Sequence, residues 1–133
     1  MNLESKKTTV QKSQKELYSY LTDLENFKSI LPDSLEEFSV SGDSFKFQLK
    51  GMPAIRLAFD TKQEFDLIKL KATSDTFPIY LICKIDAISD TQSETQLFFE
   101  GEINAMMAMM LKKPLQNLLD GLVGKMGEFI TSQ

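Results

Sequence analysis

The feature that most constrains the fold is the last long segment of the chain, residues 105–130. Its apolar residues recur at helical spacing and fall on one face of a helical wheel, roughly 100° wide. A continuous helix of this length would extend about 39 Å at 1.5 Å per residue, comparable to a whole small domain. We therefore expect the rest of the chain to supply a large apolar surface for it. The face consists of Leu111, Leu115, Leu118, Leu119, Leu122, Met126, Phe129 and Ile130.

Residues 35–104 change the apolar period to two, which is typical of strands with one buried face. Gly42-Asp43 separates two alternating stretches and predicts a tight β-hairpin. A shift of the apolar phase between Leu67 and Ile68 predicts a β-bulge in that strand. Further strands are expected at 55–60, 65–72, 79–85 and 95–104, with tight turns at Thr61-Lys62 and Ser74-Asp75 and a polar loop at 87–94.

The N-terminal part predicts one strand and two short helices. Residues 3–12 are rich in threonine and predict the strand. Ser13 and Glu16 have the spacing of a capping box, so the first helix is expected to start after Ser13. The second helix is expected over 24–30, because Pro32 disfavours the helical conformation of the residue before it. The element order indicates an α+β sandwich in which about seven antiparallel strands curl around the long helix.

Composition narrows the classes of function. A length of 133 residues fits a single domain, and 42% hydrophobic with 26% charged residues is typical of a globular protein. The net charge of −4 disfavours nonspecific nucleic-acid binding, which depends on neutralising phosphates. The first residues contain no apolar signal-peptide core, and no run of 18 apolar residues occurs. We therefore expect a cytoplasmic protein with no integral membrane segment and no nucleic-acid partner.

The chain contains no histidine, which removes the commonest general base and the commonest metal ligand. Its one cysteine, Cys83, lies in an apolar stretch and is expected in the core. We therefore expect no catalytic residues, no metal and no cofactor. Acid/base candidates do remain, but they alternate with apolar residues and are expected on the wet face of the sheet. These candidates are Glu100, Glu102, Arg56 with Asp60, and Tyr80.

With LENFKSILPD after the first helix and KKPLQNLLDGLVGKMGEF near the end, this element order resembles the START-like superfamily. The superfamily is also called SRPBCC and includes polyketide cyclase- and dehydrase-like bacterial domains. The resemblance covers essentially the full chain and implies a helix-grip fold, in which an antiparallel sheet wraps around a long C-terminal helix, often with an apolar cavity between them. It implies binding of lipids, sterols, polyketides or other hydrophobic molecules, turnover of them in some members, and action on partner proteins in others. No catalytic motif of the superfamily is present to carry over.

Aromatic residues on the inner face and a cluster of methionines are the candidate ligand-binding features. A stripe of this kind also fits a fully packed core, and the methionines also fit gap filling beneath the first helices. On a continuous helix the clustered methionines point in different directions, so some are expected at a surface or a pocket mouth. The expected lining is Phe45, Phe47, Leu57, Phe59, Phe65, Leu81, Phe99, Met106, Met109, Met110 and Leu118.

Pro114 and three glycines are expected to determine how the long helix bends and packs. Pro114 predicts a kink or the start of a new helix, dividing a methionine-rich first half from a packing second half. Gly121, Gly124 and Gly127 lie away from the leucine face. Either strong packing tolerates them or their small size admits a neighbour such as a second subunit, so we expect a monomer or a weak homodimer.

These observations favour a non-catalytic carrier or sensor that binds a hydrophobic small molecule or lipid between the sheet and the C-terminal helix. A cyclase- or dehydrase-like enzyme is the first alternative, with a carboxylate or tyrosine supplying acid/base chemistry. A protein-interaction module that uses the methionine-rich end is the second alternative.

Overall fold

The structure is a computed structural model that describes residues 1–31, 35–73 and 78–130. Residues 129 and 130 are described by their backbone alone. It confirms the helix-grip α+β architecture, in which a long antiparallel sheet faces a long C-terminal helix. The elements are β1 (Asn2–Glu4), β2 (Thr8–Val10), α1 (Gln14–Leu21), a 3₁₀ turn (Leu24–Asn26), α2 (Phe27–Ile30), β3 (Leu35–Ser41), β4 (Ser44–Leu49), β5 (Ile55–Gln63), β6 (Leu67–Ala72), β7 (Ile79–Ala87), β8 (Ser93–Gly101), α3 (Ala105–Lys125) and a π-helical turn (Met126–Ile130).

The sheet has eight strands among the described residues, in the order β1-β8-β7-β6-β5-β4-β3, with β2 also paired to β8. The expected single first strand is thus divided into β1 and β2, both antiparallel to β8. Ser5 holds the chain to β8 at the division. Its N–H donates to the Leu97 carbonyl at 2.8 Å, and its Oγ accepts from the Leu97 N–H at 2.9 Å. The backbone groups therefore stay paired although the ladder is interrupted.

Local signals place the first two helices as expected. The Glu16 N–H donates to Ser13 Oγ at 3.1 Å, and the Ser13 N–H donates to Glu16 Oε1 at 3.3 Å, which completes the capping box. The backbone hydrogen bond from Ser13 lowers the pKa of Glu16. At the end of α2, Leu31 has the extended conformation that a following proline favours. Pro32 itself lies outside the described residues.

The turn between β5 and β6 differs from the expected position at Thr61-Lys62. Strand β5 continues through both residues to Gln63, and the turn closes where the Asp66 N–H donates to the Gln63 carbonyl at 2.9 Å. Phe65 lies in this turn with φ of +69°, the left-handed conformation that bulky residues rarely adopt. The expected turn at Ser74-Asp75 lies outside the described residues.

The expected β-bulge between Leu67 and Ile68 is also absent from that site, because β6 pairs in regular register there. The shift in apolar phase instead marks the start of β6 after the turn. The register irregularity lies across the sheet in β5, between Phe59 and Thr61. The last strand is also displaced along the chain, since β8 begins at Ser93 and ends at Gly101.

Helix α3 is continuous through Pro114, so no new helix begins at this residue. Pro114 deprives the Met110 carbonyl of its helical N–H partner. Met110 is exposed, so water can solvate that carbonyl at little cost. The packed residues on the other side of the helix hold it together. They are Leu111, Leu115, Leu118, Leu119, Leu122, Val123 and Met126, all at most 5% exposed.

The C-terminal glycines do not act alike. A methyl group added to Gly127 would come within 2.7 Å of Thr8 Oγ1 on β2, whereas one added to Gly124 would meet nothing within 4 Å. Gly127 therefore admits a neighbour, but the neighbour is β2 of the same chain. The packing between β2 and the end of α3 fixes how the helix lies across the sheet.

Candidate functional site

The inner face of the sheet carries an aromatic cluster beneath α2. Strand alternation turns Phe45 and Phe47 of β4 inward, and Phe38 of the neighbouring β3 joins them. Phe27 of α2 stacks on Phe45 with the ring centroids 5.1 Å apart. Phe38 and Phe47 lie 5.5 Å and 6.0 Å from the same ring. The separations are those of favourable aromatic pairs, so the cluster forms a cohesive apolar wall.

The structure divides the expected lining residues into three groups. The first group is buried in one core cluster and includes cross-strand neighbours, such as Leu81 of β7 opposite Phe99 of β8. Sequence reasoning did not assign Phe27 and Phe38 to this wall, although both are apolar residues in periodic segments. The buried members of the expected lining are Phe45, Phe47, Leu57, Leu81, Phe99 and Leu118.

The second group, Phe59 and Phe65, is only half-buried. Phe59 packs against the core, and the Lys62 ammonium lies 4.6 Å from its ring centroid. Phe65, in the turn after β5, packs edge-to-face on Tyr18 of α1 with centroids 5.6 Å apart. Desolvation by burial is the larger of two causes that raise the pKa of Tyr18, and the negative charge of the nearby Glu64 carboxylate is the smaller. This aromatic pair packs α1 against the turn between β5 and β6.

The third group consists of the methionines at the start of α3, which project into solvent. Met106, Met109 and Met110 are 74%, 82% and 58% exposed. Helical geometry explains the difference from the expected lining role. The inward stripe runs through residues 108, 111, 115 and 118 at steps of three and four, and the three methionines lie off this stripe. Their side chains face outward at the N-terminal end of α3.

Ala108 is the first residue of the inward stripe of α3. It lies three residues before Leu111 and shares its face, but Ala108 is half-buried whereas Leu111 is fully buried. The strand registers put the β4–β5 connection at this same end of the sheet, and there Met52 is only partly buried against the core. A small residue therefore lies on the inward face of α3 at the end of the sheet where β4 and β5 are connected.

The acid/base candidates lie on the outer face, away from α3. Tyr80 and Glu100 are cross-strand partners, and the Lys69 ammonium lies 4.3 Å from the Tyr80 ring centroid. Arg56 donates to Ser44 Oγ at 2.8 Å, and Asp60 is exposed. An open cavity of about 600 Å³ brings several of these groups together in water. Its lining is Met1, Asn2, Lys69, Pro78, Tyr80, Glu100, Gly101 and Glu102.

The interior offers little polar chemistry within the described part of the chain. Its buried polar residues are Ser5, Ser93 and Thr95, and Thr95 donates to the Lys84 carbonyl at 2.8 Å. Cys83 is buried, and desolvation raises the pKa of its thiol to about 12. Across residues 1–31, 35–73 and 78–130, no three histidine, cysteine or carboxylate side chains come together as a metal site. Over the same residues, no helix is long and apolar enough to span a membrane.

Comparison with known proteins identifies the fold. No family model and no curated protein matches the chain. Truncated norcoclaurine synthase of Thalictrum flavum superposes with a TM-score of 0.76 at 10% identity, covering 100% of this chain and 94% of its own. A START superfamily protein of Mycobacterium smegmatis gives 0.64 at 15% identity, with 96% and 97% covered. The Aha1 dimer of Colwellia psychrerythraea gives 0.56 at 15% identity, with 92% and 96% covered.

The chain therefore has the START-like, or SRPBCC, helix-grip fold, as the sequence pattern predicted. Sequence identities of 15% or less show that this chain shares the fold of these proteins, and they do not show that it shares their activity.

Proposed function

We propose that this protein binds and carries a hydrophobic small molecule or lipid between the inner face of the sheet and the first turns of α3. The observation that carries the proposal is the small, half-buried Ala108, on a helical face that otherwise consists of buried leucines. A residue this small leaves room beneath the first turns of the helix, and the inner face of the sheet below is apolar. Apolar walls with few polar groups are typical of sites for hydrophobic ligands.

The aromatic cluster defines what kind of molecule would fit. Phe27, Phe38, Phe45 and Phe47 offer ring faces and edges, with no charged group among them. Flat polycyclic compounds gain from such surfaces by offset or edge-to-face stacking, and acyl chains gain from burial of CH₂ groups. The START-like fold supports the same class of ligand, because it places a helix over a concave apolar sheet.

A carrier role fits the interior better than an enzyme does. A cyclase- or dehydrase-like reaction needs a proton donor or acceptor within hydrogen-bond reach of the substrate. Tyr80, Glu100 and Glu102 belong to the outer cavity, on the opposite side of the sheet. The described inner face offers only serine and threonine hydroxyls and a thiol that stays protonated near neutral pH.

Thermal-shift measurements with a panel of fatty acids and flat polycyclic compounds test the proposal. A ligand present at a hundred times its dissociation constant stabilises the native state by about 2.7 kcal/mol. For a chain of this size we expect a rise in Tm of roughly 8 °C. The variant Ala108→Trp fills the space beneath the first turns of α3 and should abolish this rise.

Met109→Trp is the matched control, because it adds the same ring one residue away on the exposed side of the helix. It should keep the ligand-induced rise, while both variants keep the far-ultraviolet circular dichroism of the parent. A full rise in Ala108→Trp would exclude this route of binding. A panel in which no compound stabilises the parent protein would count against a carrier altogether.

A further inference from the structure

We propose that the first two turns of α3 dock onto the surface of an anionic lipid bilayer. The docking surface consists of Met106, Met109 and Met110, together called the methionine patch, and the adjoining Lys112 and Lys113. Three of the four exposed large hydrophobic residues in the described part of the chain belong to this patch, and the fourth is Ile88. Exposed apolar side chains gathered on one helical face are unusual and indicate an interaction surface.

The patch and the lysines share the outer face of the helix. Residues 106, 110 and 113 follow at steps of four and three, and residue 112 follows 109 at a step of three, so each lysine extends a row that begins with a methionine. Lys112 and Lys113 are exposed, and neither forms an ion pair with another described residue. The long lysine stems can lie along apolar surface while the ammonium groups reach outward.

Local charge favours an anionic surface. The chain carries 19 acidic residues against 15 basic ones, yet residues 105–119 contain no carboxylate and two lysines. The nearest carboxylates along the chain, Glu102 and Asp120, flank this stretch on either side. A positive, apolar surface on an acidic protein directs one end of the molecule toward anionic headgroups. Methionine suits such contact because its flexible side chain adapts to disordered acyl chains.

A bilayer fits the patch better than a second copy of the chain does. A stable protein–protein interface buries about 800 Å² on each partner, from some 20 residues a side. Three methionines on one half of a helix supply much less apolar surface than this, whereas binding to an anionic bilayer has no minimum area and grows with each inserted apolar side chain and each adjoining lysine. Docking requires no molecule inside the protein, so it is independent of the proposed carrier function.

Co-sedimentation with vesicles tests the docking. The parent protein should bind vesicles of phosphatidylglycerol mixed with phosphatidylcholine and leave vesicles of phosphatidylcholine alone in the supernatant. Each CH₂ group buried in lipid contributes about fourfold to partitioning, so M106S/M109S/M110S should lower the partition coefficient at least about tenfold. K112Q/K113Q should lower it about 25-fold, since each basic residue near an anionic surface contributes about fivefold.

Ile88→Ser is the matched control, because it removes an apolar side chain that is 50% exposed in the β7–β8 connection. It should bind vesicles as the parent does. All variants change exposed residues, and unchanged melting temperatures will show that they fold. Equal binding of the parent and the triple serine variant would overturn the proposal, as would equal binding to neutral vesicles. Self-association that the triple variant abolishes, without vesicle binding, would assign the patch to a second copy instead.

Discussion

Replacing Cys83 tests whether the middle of the interior is dry, which bears on how far the proposed ligand site can extend from Ala108. Burial raises the pKa of the Cys83 thiol from 9.0 to about 12. Below pH 9 the thiol is protonated in both the folded and the unfolded chain. Above pH 9 the unfolded chain loses this proton while the folded protein keeps it, so the free energy of unfolding falls as the pH rises.

The magnitude follows from the size of the shift. Each pKa unit corresponds to about 1.4 kcal/mol, so Cys83 alone should destabilise the protein by about 2 kcal/mol at pH 10.5 and by about 4 kcal/mol near pH 12. Urea unfolding of the parent and of Cys83→Ala should be measured from pH 8 to 10.5. Lysines and tyrosines titrate in both proteins, so their effect cancels in the difference between the two free energies of unfolding. The cost of the substitution itself does not depend on pH.

We expect the stability difference between parent and Cys83→Ala to change by about 2 kcal/mol across this range, with the parent losing more. Identical pH dependence would refute the reasoning. It would mean that the thiolate is solvated in the folded state, and that water reaches the inner face of β7.

Two further pairs of substitutions test the packing. Leu115→Ala, at a fully buried site on the inward stripe, should reduce the free energy of unfolding by about 2–5 kcal/mol. Met109→Ala on the outer face should change it by less than about 0.5 kcal/mol, and a similar loss in both would contradict the orientation of α3. Gly124→Ala should add up to about 1 kcal/mol, because alanine favours the helix and nothing lies within 4 Å of the new methyl group. Gly101→Ala should instead destabilise the protein, since its methyl group would lie 2.7 Å from the Pro78 carbonyl oxygen, and a stabilised variant would argue against this register of β8.

Elements that depend on nearby residues could be predicted from the sequence. The capping box at Ser13, the hairpin at Gly42-Asp43 and the leucine stripe of α3 each involve residues a few positions apart, and the structure confirms all three. Positive φ at Gly42 suits the two-residue turn that the dipeptide predicted. The resemblance to START-like proteins added the overall wrapping of the sheet around the helix, which local pattern alone only suggested.

Features that depend on distant partners could not be predicted. The division of the first strand depends on how Ser5 meets Leu97 of β8, and the bulge in β5 depends on pairing with β6. Pro114 signals a break when read locally, but packing along the opposite face keeps α3 continuous. In each case, contacts between residues far apart in the sequence override the local signal.

The residues of the candidate site could likewise be predicted only where local sequence pattern determines their position. Alternation identified the inward residues of the strands, including Phe45, Phe47 and Leu81, because a strand has only two faces. It did not identify Ala108, since a small residue indicates room beneath a helix only when its place in the fold is known. The methionines stood out as a cluster, but the rotation of α3 on the sheet determines that they face outward.

Native mass spectrometry of freshly purified protein tests the central claim most directly. If the protein carries a hydrophobic molecule, the parent should show a second mass species that corresponds to a bound apolar compound, and organic extraction should remove it. Ala108→Trp should show the protein mass alone, while Met109→Trp should keep the bound species. A parent protein that shows only its own mass, even after incubation with the ligand panel, would contradict the account.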